Sequence, residues 1–407
     1  MGLLDLFREK PSPAKFARLF IQCAMEKGFP PPMQFNKEEF QVLLGKNHVF
    51  NLHNAYREYC NAPKKGRSDV MDRYVAGLDV PAIPKNIEIA KARLMPSIRR
   101  MSQIEYLRLS ARLSDPGKSF MSAHRAWDGD TATVIVYDSD TDMRHIDVSQ
   151  LSEWGLSFDQ ALQIAVDNLR DRTSSSFSDL GSGVTLGTWN DSYDSSRILL
   201  TDLLFRMSGD SDPIVMIPTR GRILVASGRN ADGLLLMLST AKYFLEQDGR
   251  PVSAFMYKIE NSVLLVYSPD DPTVRETAAD LQKIYLIDDH SSQKDMLDKI
   301  HQKEGKDLHV AKFVVFKNEA TGALTSHATW SKGVKSLLPQ ADVITLFQSG
   351  QTEAESVMKS VLWEDVQAMA GNLLLKDDSY PPRYLTVGFP DDATFASLPA
   401  FDLLPGA

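Results

Sequence analysis

The sequence predicts an α+β fold: a helical N-terminal region followed by antiparallel hairpins packed with helices. Two observations carry this. From residue 131 onward, strand-like runs come in pairs closed by short polar turns. TATVIVYD and MRHIDVSQ flank DSDTD, and SAFMYKI and SVLLVYS flank Glu260–Asn261. Between such pairs, apolar residues recur at helical spacing. Phe158, Ala161, Leu162, Ala165, Val166 and Leu169 fall on one face, and Ser157 with Gln160 forms a capping box at the start. Hairpins alternating with helices need few crossovers, which favours α+β over a doubly wound sheet.

Taken in order, residues 13–78 read as helical and irregular. PAKFARLFIQCAMEKG ends at Gly28 and the prolines 30–32; NLHNAYREYCNA and SDVMDRYVAGL are joined by the basic turn PKKGR. VPAIPKN at 80–86 is a linker. After the first hairpin and the 158–169 helix come a polar loop, the strand VTLGTW, the helix SSRILLTDLLFRM, and the strands PIVMIP and RILVASG. The helix ADGLLLMLSTAKYFLEQ, the second hairpin and the helix PTVRETAADLQKIY follow. IDDHSS then closes a possible strand, or turns the chain into the helix SSQKDMLDKIHQKEG. A hairpin (VAKFVVFKN, LTSHATW), a strand (ADVITLF), a long helix over 352–375, a strand (RYLTVGF) and a docked or frayed tail complete the chain. Three regions are expected: 1–84 helical, 85–285 an α+β core, and 286–407 a C-terminal α+β extension. LWEDVQAMAGNLLL at 362–375 echoes LSFDQALQIAVDNL at 156–169, with Gln367 and Asn372 matching Gln163 and Asn168. The extension therefore reads either as a decayed strand–helix–strand repeat or as two core-facing helices sharing a spacing.

The 407 residues suit two or three domains, and 43% hydrophobic with 24% charged residues is ordinary for a globular chain able to bury a core. A net charge of −8 gives no global attraction to nucleic acid. Cys23 and Cys60, without CxxC spacing, exclude a disulfide framework and a cysteine-ligated zinc site, and fit a reducing, cytoplasmic compartment. MGLLDLFREK lacks a signal-peptide apolar core, Leu6 stands where myristoylation needs Ser or Thr, and no apolar run reaches membrane-span length. No membrane partner and no cofactor are expected.

Several segments resemble, in order and pattern, the YtpQ-like family of bacterial cytosolic proteins of unknown function. They are FARLF, NLHNAYREYCNAP, MDRYVAGL, ARLMPSIR, TVIVYDSDTDMRHIDVSQLSEWGLSFDQALQIAVDNLRDR and DPIVMIPTRGRILVASGRNADGLLLML. The resemblance covers roughly 13–285. It implies an intracellular α+β protein and carries over no catalytic residue.

No motif assembles an active site. DSDTD has the DxDxD start of a calcium loop, but Met143 and Ser149 stand where Gly and Glu belong. DPGKSF has Arg112 where a phosphate loop needs Gly, and GSGVTLG opens a strand rather than a helix. The GDS of SGDSDP reads as a turn without a placed His partner, and SSQK has no companion motif. Asp128 and Asp130 could add carboxylates to a weak cation site near DSDTD. Asp288, Asp289 and His290 carry the right donor types for a divalent metal, with Asp191 and Asp194 the only modest companions, while a polar turn capping the next helix is the plainer account. Residues 85–125 hold nine Lys and Arg against Glu88, Glu105 and Asp115; solvated helix faces explain most of this, and Arg93, Arg99 and Arg100 could present an anionic-partner surface. With only Tyr106 and Phe120 to stack on bases, nucleic acid is disfavoured. The leading expectation is a non-catalytic cytosolic protein that binds another protein, as an adaptor or a toxin-neutralising immunity-type protein. The alternative is a metal-dependent hydrolase or nuclease using Asp288, Asp289 and His290.

Overall fold

The computed structural model describes residues 10–45, 48–78, 82–115, 120, 122–139, 142–209, 212–260, 263–319, 322–352 and 355–402. Most of DPGKSF, two residues each of DSDTD and SGDSDP, and part of the 80–86 linker lie outside them. The chain forms α+β structure in two compact units, Met1–Met95 with Val136–His145, and Pro96–Ile135 with Ile146–Ala407.

The first unit opens with α1 (Pro13–Glu26), whose start follows from Ser12 accepting the Lys15 N–H and from Pro13 in the first turn. Phe16, Ala17, Phe20 and Ala24 bury one face. The stretch expected to be irregular is instead an antiparallel sheet of β1 (Met33–Asn36), β2 (Gln41–Leu44) and β3 (His48–Asn51). Its strands are only four residues long, too short for alternation to stand out. α2 (His53–Asn61) and α3 (Arg67–Ala76) match the two expected helices and close a core on Phe20, Val42, Leu52 and Val75. Two free thiols, Cys23 and Cys60, lie in this unit. α4 (Ile87–Ala90) leads into β4 (Leu94–Arg100).

α5 (Met101–Ser114) follows, then β5 (His124–Ala126), β6 (Thr131–Asp138) and β7 (Met143–His145), sharing a sheet of order β4–β6–β5 with β7 on β6. The β6–β7 hairpin is as expected. After α6 (Val148–Trp154), α7 (Phe158–Asp171) starts at its capping box: the Gln160 side chain accepts the Ser157 N–H at 2.9 Å, and Ser157 Oγ accepts the Gln160 N–H at 3.2 Å. β8 (Phe177–Asp179), β9 (Thr185–Gly187), α8 (Thr201–Ser208), β10 (Pro213–Met216), β11 (Leu224–Ser227), α9 (Ala231–Gln247), β12 (Tyr257–Glu260) and β13 (Val263–Val266) build a six-stranded antiparallel sheet, order β13–β12–β10–β11–β9–β8. Its core gathers Ile214, Met216 and Leu224 from the sheet, Met237, Leu238 and Ala241 from α9, and Val274, Ala278 and Leu281 from the next helix.

That helix, α10 (Pro272–Glu304), is continuous for 33 residues. IDDHSS therefore neither ends a strand nor makes a turn, and the 285–286 junction falls mid-helix. The stretch contains no Gly or Pro, so nothing interrupts the backbone ladder. Asp271 and Pro272 start the helix and the left-handed Gly305 ends it. Its second half packs Met296, Leu297 and Ile300 against Leu109 of α5, Val310 and Leu337.

β14 (His309–Val310), β15 (Val314–Lys317), β16 (Leu324–Ser331), β17 (Ser336–Pro339), β18 (Val343–Gln348), β19 (Val357–Leu362), α11 (Trp363–Ala370), β20 (Leu374–Lys376), β21 (Arg383–Thr386) and α12 (Asp392–Ser397) complete the chain. Two four-stranded sheets, β14–β17–β21–β20 and β15–β16–β18–β19, each contain one parallel pair. They enclose a core centred on the fully buried Trp330, whose Nε1 donates to the Gly388 carbonyl at 3.2 Å. The long helix expected over 352–375 is wrong: Val357–Leu362 form β19, paired antiparallel with β18, and α11 is only eight residues long. The echo does not survive as a repeat. α7 follows another helix and leads to a hairpin on the six-stranded sheet, whereas α11 springs directly from a hairpin strand. Among the described residues, no helix is long and apolar enough to cross a membrane.

Candidate functional site

Arg93, Arg99 and Arg100 do not share one surface. Arg93 belongs to the first unit and donates Nη1 to the Asp138 carbonyl at 3.5 Å. Arg99 and Arg100 are consecutive on β4, so their side chains leave opposite faces of the strand.

Arg100 turns inward. It forms an ion pair with Asp289 of α10, lies 3.5 Å over the Tyr285 ring, and donates to the Tyr285 carbonyl at 3.3 Å. Burial pushes the Asp289 carboxyl up to about 6 against the opposing pull of Arg100. Asp130, fully desolvated, is likewise raised by burial, and accepts hydrogen bonds from Ser253 Oγ at 2.6 Å and Tyr257 Oη at 2.9 Å. Asp128 accepts the Val266 N–H at 3.0 Å. Gly129 between them has φ +87°, and a Cβ there would stand 2.9 Å from Val266 Cγ2, so only glycine allows this approach. Asp128 and Asp130 thus tie the β5–β6 turn to β12–β13 and do not face a cation together.

The Asp288–Asp289–His290 metal reading fails on geometry. Successive helical residues point about 100° apart, and each of the three has a different environment. Asp288 faces solvent, Asp289 is spent on Arg100, and His290 is buried with its ring stacked on Phe313 at 4.5 Å. Burial, helped by the Arg383 charge, holds the His290 imidazole well below its usual range and therefore neutral. Among the described residues, no group of three or more His, Cys, Asp or Glu is arranged to hold a metal ion. Asp191 is committed elsewhere, taking Arg197 bidentately at 2.9 and 2.7 Å. Arg197 is fully buried, 4.3 Å over Trp189, and its Nε donates to Thr173 at 3.1 Å. Asp194 is buried and held protonation-prone by burial, with the nearby Asp191 charge acting in the same sense.

Arg99 turns the other way, into a cluster absent from the sequence reading. Its companions are Arg220, in the turn after β10, and Arg250, after α9. The backbone brings them together: Arg220 N–H donates to the Arg250 carbonyl at 3.0 Å, Thr219 bridges Pro251, and Ser195 N–H donates to the Arg220 carbonyl at 3.1 Å. Arg99 Nη1 donates to Ser97 Oγ and to the Ile98 carbonyl, the latter at 3.1 Å. Burial lowers Arg99 to about 10, with the Arg250 charge adding and Tyr193 opposing. Arg220 is driven well below its usual value by burial and then by the charges of Arg99 and Arg250. None of the described ion pairs includes any of the three, and Arg220 Nε has no acceptor. The Oγ atoms of Ser195 and Ser196 are buried beside them without partners. Three non-glycine residues in the flanking loops hold left-handed backbone: Asn190 (φ 53°), Ser192 (φ 68°) and Arg250 (φ 62°). Such strain costs about 1–3 kcal/mol per residue and concentrates at functional sites. As whole residues, Arg99, Arg220 and Arg250 are each half-buried.

Chemically, converging guanidinium groups without a carboxylate form a receptor for an oxyanion, which would accept charge-assisted and bidentate hydrogen bonds. Sequence reasoning found Arg99 through local basic excess. It missed Arg220 and Arg250, which lie 121 and 151 residues further along the chain with no local pattern to flag them. Compared with family models, curated proteins and solved structures, the chain matches none.

Proposed function

We propose that this chain is a non-catalytic binding protein, of the adaptor or immunity type, that recognises an anionic group of a protein partner through Arg99, Arg220 and Arg250. The observation carrying this reading is the meeting of three arginines that, among the described residues, have no acidic counterpart, whereas three other arginines of the same unit are each paired with a carboxylate. Arg100 has Asp289, Arg197 has Asp191 and Arg222 has Asp248. Uncompensated like charges destabilise a fold, and a ligand anion relieves them. A protein partner would offer the anion as a carboxylate or phosphate side chain.

The two signs of this trade-off give a test. Arg220→Ala should raise the stability of the ligand-free protein by roughly 1 kcal/mol, between the water-screened and the surface scale of like-charge repulsion less the packing lost with the side chain. The same variant should lose the upward shift in melting temperature that inorganic phosphate or sulfate gives the wild-type protein. A structural arginine would behave oppositely, its removal lowering stability with anion response unchanged. That result, or a wild-type protein indifferent to both anions, overturns the proposal.

A further inference from the structure

The first unit contains a cavity of about 770 Å³, within the range of small-molecule sites. Its floor and walls are aromatic and apolar: Phe35, Phe40 and Tyr56, with Pro13, Ala14 and the buried Cys60. Phe40 organises the walls. Its ring makes edge contacts with Phe35 at 6.1 Å and 82°, His53 at 5.1 Å and 87°, and Tyr56 at 5.5 Å and 87°. Tyr56 is pinned by its Oη donating to the Pro11 carbonyl at 2.7 Å. Phe40 itself holds φ +48°, an uncommon backbone for a bulky side chain. The Asn36 side chain, accepting the N–H groups of Glu38 and Glu39 at 3.1 and 3.3 Å, shapes the turn that leads to it. Phe40 is half-buried and packs against the core of the first unit, and the same position sets its ring in the cavity wall.

Among the described residues that line the cavity, the charged ones are Lys10, Lys37 and Arg57, all basic. We infer that this cavity binds a small-molecule carboxylate with an aromatic or alkyl body, the body against Phe35, Phe40 and Tyr56 and the carboxylate toward Lys37 and Lys10. A cation is disfavoured by the rim, and a fully polar anion by the walls. The volume admits a body of one or two rings.

The test uses three probes sharing one body on the full chain: 2-naphthylacetate, 2-naphthylethanol and 2-naphthylethylamine, titrated by calorimetry. The acid should bind at least tenfold more tightly than the alcohol, and the amine most weakly. Lys37→Glu, a change at an exposed residue, should invert the order of acid and amine while circular dichroism stays unchanged. Phe40→Ala should weaken acid and alcohol alike. Equal binding of acid and alcohol, an acid preference surviving Lys37→Glu, or no binding by any probe overturns the inference. A hexapeptide ending in phenylalanine provides a further arm. If its free-acid form binds tenfold more tightly than naphthylacetate and its C-terminal amide does not bind, the occupant is a peptide end and the small-molecule assignment falls.

Discussion

Neighbouring residues in this chain take opposite roles because the backbone sends them to different places. Arg99 and Arg100 are identical in type and adjacent in sequence, yet one faces the arginine cluster and the other is neutralised by Asp289. Asp288 and Asp289 divide the same way on a helix. Local composition cannot resolve such pairs, because the deciding partners lie far along the chain; Asp289 is 189 residues from Arg100. The candidate site was therefore legible only as a basic excess around Arg99. The Asp289 carboxyl makes a pH prediction. Its folded value near 6 stands above the ordinary 3.8, so the folded state holds the proton more tightly than the unfolded chain. Its contribution to stability is full below pH 3.8 and lost as pH rises through about 6. Relative to Asp289→Asn, the wild-type protein should lose roughly 3 kcal/mol between pH 4 and 7. Urea midpoints measured across that range check it, and parallel pH profiles for the two proteins would reject the assignment. Asp130, raised by the same burial, leaves some of this slope in the variant.

At the scale of elements, what could be read was what repeats locally. α1, α2, α3, α7 and α9 have apolar faces or caps within a single stretch, and the hairpins have paired runs and polar turns. The three short strands of the first unit and β19 have neither, and their identity comes from pairing partners. α10 was misjudged for a different reason. A cluster of Asp, His and Ser looks like a turn, yet none of these residues breaks a helix whose two ends are anchored in separate parts of the core. Substitutions at the exposed Asp288 distinguish a helix from a turn. Asp288→Ala should change stability by no more than about 0.5 kcal/mol. Asp288→Pro should cost about 3 kcal/mol or more, through a lost backbone bond and a clash with the preceding turn. Equilibrium denaturation reads both, and a tolerated proline would contradict the continuous helix.

Across the whole molecule, the α+β class was legible because hairpins and helices alternate, and averages such as the net charge of −8 hid the cluster of Arg99, Arg220 and Arg250. The two units each carry their own apolar core, one on Phe20, Val42 and Val75, the others on Met237, Leu297 and Trp330. The tryptophans are divided between them usefully: Trp127, Trp154, Trp189, Trp330 and Trp363 all belong to the second unit, so tryptophan emission follows that unit alone. Phe20 is fully buried in the first core and stacks on Phe50 at 5.0 Å. Phe20→Ala should cost about 3–5 kcal/mol within that core. If each core is its own cooperative unit, part of the far-ultraviolet dichroism, that of the first unit's helices, will be lost at lower urea in the variant while the tryptophan emission midpoint stays in place. A common shift of both probes would instead mean that the strands β4 and β6, through which the chain passes between the units, bind them into one cooperative transition.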